Sequence, residues 1–136
     1  MPIQPFPGIL DMLDRLREKG AKLAGVTSKR RRLTRENLTT AELLPRLDAV
    51  VDAESTEEHK PHPAPALLAL AELGAQPSEG VFVGDSRFDL ACGRNAGLVT
   101  VGVSWGAGSL AELEEQAPDH LCHSVEELTA LLLSLC

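Results

Sequence analysis

The sequence predicts an α/β domain, doubly wound, with a mostly parallel sheet and helices on both faces. Two observations predict it. Short apolar runs at 22–26, 47–51, 81–83 and 99–103 alternate with helix-period segments along the 136 residues. The segments between the runs are long enough to carry the crossovers that parallel strands require. With no internal repeat, low-complexity tract or linker, residues 1–136 read as a single domain.

Each element follows from its own residues. Ile9, Leu10, Met12, Leu13 and Leu16 recur at helical spacing after Pro7-Gly8, and the pattern stops at Lys19-Gly20, a basic residue and a glycine as at many helix ends. Lys22–Val26 is a buried strand running into polar Thr27-Ser28-Lys29. Leu33, Leu38, Ala41 and Leu44 mark a second helix, and Leu47–Val51 a second strand. Residues 52–65 form a loop, polar at first and then studded with prolines. Leu67, Leu68, Leu70, Ala71 and Leu73 build a helix ended by Gly74, after which Val81–Val83 is a strand entering Gly84-Asp85-Ser86. A helix through Leu90, Ala91 and Ala96 ends near Gly97, and Val99–Val103 is the next strand. Ser109-x-x-Glu112 and Ser124-x-x-Glu127 have capping-box form and open two last helices, with His120-Leu121-Cys122 a minor strand between them.

Composition removes several classes of function. Hydrophobic residues make up 43% and charged residues 24%, enough to build a core and too many to leave the chain disordered. Thirteen Lys and Arg against twenty Asp and Glu give a net charge of −7, which opposes binding to nucleic acid or an anionic membrane. Phe6, Phe82, Phe88 and Trp105 are too few aromatics for a base-stacking platform. No apolar run has the length of a membrane span and Met1–Pro5 lacks signal-peptide character, so a cytoplasmic protein is expected. Cys92, Cys122 and Cys136 fit reduced thiols. His120, Cys122 and His123 lack the fourth ligand of a closed zinc site and read as packing residues. Gly106-x-Gly108-x-x-Ala111 has dinucleotide-binding form but falls late in the chain, so no nicotinamide cofactor is expected.

Ligands of open α/β sheets bind beyond the carboxyl ends of the strands, which directs attention to the polar residues there. Asp85 and Asp89 lie four apart across a loop entering a helix, a hard-oxygen pair suited to Mg²⁺. The plainer reading is that Asp85 or Ser86 caps the helix and Asp89 is solvated. Thr27 and Ser28 set hydroxyls and N–H groups at a helix start, where an anion such as phosphate is favoured, and the run Lys29–Arg32 invites an anion nearby. A helix cap and a solvated basic face are the alternatives. Lys60 precedes prolines that stiffen its loop, as suits a cation that neutralises transition-state charge.

Taken together, these residues resemble the haloacid dehalogenase (HAD) superfamily, especially its phosphoglycolate-phosphatase-like hydrolases, over nearly the whole chain. Residues 24–29 resemble the second motif, Lys60-Pro61-His62-Pro63 the third and residues 83–89 the fourth, while residues 103–106 also fit the subfamily. The resemblance implies a Mg²⁺-dependent phosphohydrolase acting on a small phosphorylated metabolite. Thr27, Ser28 and Lys60 would bind phosphate, with Thr27 and Lys60 catalytic, and Asp85 and Asp89 would serve the metal. The first motif, Asp-x-Asp, occurs nowhere in the sequence. Asp11 and Asp14 have the wrong spacing within a helix, and Asp48 and Asp52 flank a strand four apart, so no nucleophile is assigned. The helical cap is missing as well. The isolated chain is therefore expected to be inactive or weakly active. The alternative is a non-catalytic phosphate- or protein-binding descendant that associates through the vacated sheet position. In the family sheet the first strand lies between the strands at 22–26 and 80–83. These two are expected to pair directly, or to have a second copy or another chain cover the gap.

Overall fold

The computed structural model describes residues 7–40 and 42–136; Met1–Phe6 and Ala41, which the sequence reading used, lie outside them. Helix α1 (Ile9–Glu18) follows Gly8, whose φ of 92° suits glycine, and buries Met12 and Leu16. Strand β1 (Ala24–Val26) leads to α2 (Arg31–Thr40), a short 3₁₀ turn at Leu44–Arg46 and β2 (Ala49–Val51). Leu44 thus falls outside the helix it was expected to join. Helix α3 (Ala64–Leu73) ends at left-handed Gly74. Then come β3 (Val81–Gly84), α4 (Arg87–Asn95), β4 (Val99–Val103), α5 (Leu110–Glu115), β5 (His120–Cys122) and α6 (Val125–Leu135). Ser109 and Ser124 cap α5 and α6 by accepting from the N–H of Glu112 and Glu127, as their spacing predicts.

Every strand pairing is parallel, with helices on both faces of the β3–β4–β5 sheet. Val101 and Val103 join Met12, Leu16, Cys122 and Leu128 in a cluster under α1 and α6. Phe82 faces the other way and packs with Ala66, Leu70, Cys92, Ala96 and Leu98 under α3 and α4. The fold class is the one expected.

The sheet, however, is divided. Among the described residues β1 pairs only with β2, and β3–β4–β5 form a separate ladder, so the expected direct pairing of β1 with β3 does not occur. Helix α3 packs on β1 and β2, α4 packs on β3 and β4, and α3 packs on α4, so the helix layer runs on across the division while the strand ladder does not. The facing edge of β3 is left without a strand neighbour among the described residues, and its Val81 and Val83 stay more than one third exposed.

Candidate active site

The sharp turn after β3 builds the acidic end of the site. Ser86 caps α4: its Oγ accepts from the Asp89 N–H at 3.2 Å and donates to Asp89 Oδ2 at 3.1 Å. The Asp85 N–H donates to the same oxygen at 3.3 Å. A Cβ on Gly84 would stand 2.3 Å from the Asp89 Cβ, so the strand end admits this carboxylate because glycine precedes Asp85. The helix cap is real, yet Asp89 is not solvated. Its Oδ1 accepts from Lys60 Nζ at 2.6 Å, and both side chains are largely buried. Burial alone would push the Asp89 carboxyl up; the charge and hydrogen bond of Lys60, with the Asp85 and Ser86 bonds, outweigh it and hold the carboxyl below the usual range.

Lys60 also donates to the Val26 carbonyl at 3.0 Å. One ammonium therefore touches the last residue of β1 and the carboxylate folded over the end of β3, and so joins the two sheets at their carboxyl edges.

Asp85 is seated by the glycine loop after β4, which the family resemblance sets beside the site. The Ala107 N–H donates to Asp85 Oδ2 at 3.1 Å and the Gly108 N–H to the Asp85 carbonyl at 2.8 Å. A Cβ on Gly106 would lie 2.2 Å from Asp85 Oδ2, and one on Gly108 2.5 Å from the Asp85 carbonyl oxygen. The glycines of the apparent dinucleotide pattern thus permit close approach to a carboxylate. The signal was present as Gly-x-Gly after β4, but its partner is over twenty residues earlier.

Thr27 and Ser28 follow β1 directly, though the local chemistry differs from expectation. The Thr27 N–H continues the ladder to the Val51 carbonyl at 2.9 Å, and Thr27 Oγ1 accepts from the Lys29 N–H at 3.2 Å. At the first residue of α2 the Arg31 N–H donates to Glu54 Oε2 at 2.8 Å. The backbone donors at 27, 29 and 31 are therefore used within the chain, and the Thr27 and Ser28 hydroxyls are among the polar groups this turn offers an anion. Part of the anion demand of the Lys29–Arg32 run is met internally too, since Arg31 Nε lies 3.0 Å from Asp52 Oδ2 and Arg32 pairs with Glu36.

The structure brings together the edge at Val26-Thr27, Lys60, Asp85 and Asp89. Four of the five other aspartates are committed elsewhere, Asp14 to Arg46, Asp48 to the Leu23 N–H, Asp52 to Arg31 and Asp119 to Thr100, and the fifth, Asp11, lies on α1. Among the described residues no three His, Cys, Asp or Glu side chains are grouped to share a metal. A cation here would rely on the Asp85–Asp89 pair and on non-protein ligands, a donor set that suits Mg²⁺. Cys122 is buried in the core, and His123 Nδ1 lies 2.9 Å from Ser104 Oγ.

Fold and site define a class: a parallel α/β domain with paired carboxylates and a lysine at its strand carboxyl ends. The family model described as haloacid dehalogenase-like hydrolase matches residues 2–103, and the chain belongs to that family. It is 34% identical to pyrophosphatase PpaX of Bacillus pumilus over 130 residues, 96% of this chain and 60% of the relative. A predicted phosphoglycolate phosphatase from Haemophilus somnus superposes with a TM-score of 0.86 at 27% identity, covering 93% of this chain and 56% of that one. A HAD-superfamily hydrolase of subfamily IA from Geobacter sulfurreducens gives 0.75 at 25% identity, covering 92% and 59%. The chain thus spans about 60% of the length of the curated relative it matches. No described helix is long and apolar enough to cross a membrane.

Proposed function

We propose that the chain carries the phosphate- and metal-binding part of a phosphohydrolase site for a small phosphorylated metabolite, and that alone it turns over substrate weakly or not at all. One observation carries this reading: Lys60 reaches the Val26-Thr27 edge and Asp89 at once. The Thr27 and Ser28 hydroxyls and the Lys60 ammonium would hold a phosphoryl group, and Asp85 with Asp89 would hold Mg²⁺. When bound, the ion neutralises charge on the phosphoryl oxygens. Lys60 is held by two acceptors, so its charge is in place before substrate arrives. The pyrophosphatase and phosphoglycolate phosphatase named above support the substrate class. The weak-activity part rests on the absence of Asp-x-Asp from the sequence and on the structural employment of Asp14, Asp48, Asp52 and Asp119.

Inorganic phosphate titrated into the purified chain with Mg²⁺ tests the reading. Binding is expected, weakened about tenfold or more by Thr27→Ala, in keeping with the loss of a hydrogen bond to a charged group. Hydrolysis of an aryl phosphate should be slow or undetectable, and any genuine turnover should vanish in Asp85→Asn. Failure of the chain to bind phosphate would remove the reading.

The open strand edges favour a second reading, a binding module that associates through the gap. Lys60 limits how wide that gap is. The contacts from Val26 O through Lys60 and the Asp89 carboxylate to Asp85 N, laid end to end, keep β1 and β3 within roughly 11 Å at this edge, room for one inserted strand at about 4.8 Å per spacing and not two. A second copy or another chain contributing one extended segment would satisfy both edges. Sedimentation at increasing protein concentration is expected to show association under this reading; a monomer at every concentration would exclude self-association.

A further inference from the structure

Asp52 is a carboxylate only 5% exposed that the proposed chemistry does not use. It accepts from Arg31 Nε at 3.0 Å, from the Glu54 N–H at 2.9 Å and from Ser55 Oγ at 3.1 Å. Only the Asp52 side of this pair is buried, the Arg31 side chain being half exposed, and an ion pair drawn partly out of water is weak evidence for stability, because desolvation offsets much of its attraction. What it adds is direction, since the planar guanidinium fork fixes both partners in angle as well as distance.

The direction here is informative. Arg31 opens α2, and Asp52 follows the last residue of β2. Between them the turn after β1 is tied to the segment after β2 at successive points: the Thr27 N–H to the Val51 carbonyl, the Ala53 N–H to the Lys29 carbonyl at 2.8 Å, and the Arg31 N–H to Glu54. Buried Thr34 donates its hydroxyl to the same Lys29 carbonyl at 3.3 Å. The Lys29 N–H in turn holds Thr27 Oγ1. A connected path therefore runs from Asp52 through Arg31 and the backbone at Lys29 to the Thr27 hydroxyl.

We infer that the Asp52–Arg31 pair is a positioning element that sets the Thr27 turn for phosphate binding, an inference that rests on the proposed role of Thr27. Neither residue touches the phosphate; both act through the shape of the turn. The lowered Asp52 carboxyl agrees with this: burial pushes it up, and the bonds from Arg31, Glu54 and Ser55 more than reverse that, so the pair is charged at neutral pH.

The test is a titration of inorganic phosphate with Mg²⁺ into the full chain, its Thr27→Ala, Asp52→Asn and Arg31→Lys variants, and the Asp52→Asn/Thr27→Ala double variant. Asp14→Asn, which breaks the ion pair with Arg46 far along the sequence, is the control and should bind as the wild type does. Asp52→Asn is expected to weaken binding about tenfold, with little further loss when Thr27→Ala is added, because the two act on one hydroxyl. Arg31→Lys keeps a charge beside Asp52 and loses the fork, so it folds more readily and should still weaken phosphate several-fold. If Thr27→Ala weakens binding while Asp52→Asn and Arg31→Lys lower only the thermal midpoint, the pair is structural and the inference is overturned. If Thr27→Ala binds like the wild type, the proposed role of Thr27 fails and this inference falls with it.

Discussion

Replacing Lys60 with methionine is expected to abolish phosphate binding and to destabilise the fold by about 3–5 kcal/mol, the usual cost of removing one partner of a buried pair. Asp89 keeps its charge less well without Lys60, since burial is then opposed only by the Asp85 and Ser86 bonds. The Val26 carbonyl also loses its donor. Lys60→Met/Asp89→Asn should recover part of the lost stability, because no unpaired charge remains, but should not recover phosphate binding. Urea denaturation and phosphate titration of the wild type, both single variants and the double variant measure the two effects separately. A Lys60→Met protein as stable as the wild type would mean that the ammonium does not pair with Asp89 in solution.

Gly106→Ala should reduce Mg²⁺ affinity by about 10–100-fold, the range typical when the groups supporting a metal ligand are disturbed. The new methyl would meet Asp85 at its Oδ2, Cγ and Cβ, all within 2.6 Å, so rotating the carboxylate away does not relieve the clash. Either Asp85 or the loop must shift, and the Ala107 bond to Oδ2 cannot then be kept. A stability loss of about 1–3 kcal/mol from overpacking accompanies it. Gly20→Ala provides the comparison: it carries a φ of +89° with nothing within 4 Å of the added carbon, so it should cost a little stability and leave Mg²⁺ untouched. Calorimetric titration of Mg²⁺ into both variants decides the matter. Unchanged affinity in Gly106→Ala would show that Asp85 is not the ligand.

The secondary structure was legible because local chemistry writes it: the Ser109 and Ser124 caps, the glycine after α3 and the valine runs of β3 and β4 all act within a few residues. The acidic pair and Lys60 were legible as candidates through residue type and position at strand ends. What joined them was not, because Lys60 meets Asp89 across 29 residues and Asp85 meets Ala107 across 22. The basic run hid its own pairing. Four adjacent cations look alike in sequence, yet only a helical geometry beside the end of β2 singles out Arg31 for Asp52. The vacated strand position was legible as well, with two outcomes open there, direct pairing of β1 with β3 or a gap covered by another chain; the structure excludes the first, since which strands become neighbours is decided by long-range packing that no single segment carries.

That division gives the site an uneven stiffness. Backbone ladders resist shear cooperatively, whereas side-chain packing yields more readily, and the two halves here are coupled by helix packing and by side-chain bonds, among them those of Lys60 and the Arg46–Asp14 pair. Within each half the reactive groups are stiffly mounted: Thr27 on the β1–β2 ladder, and Asp85 on β3 and the glycine loop. The distance between the halves is therefore expected to be the softer coordinate, with Lys60 a tether across it that keeps the Thr27 edge and the acidic edge from parting.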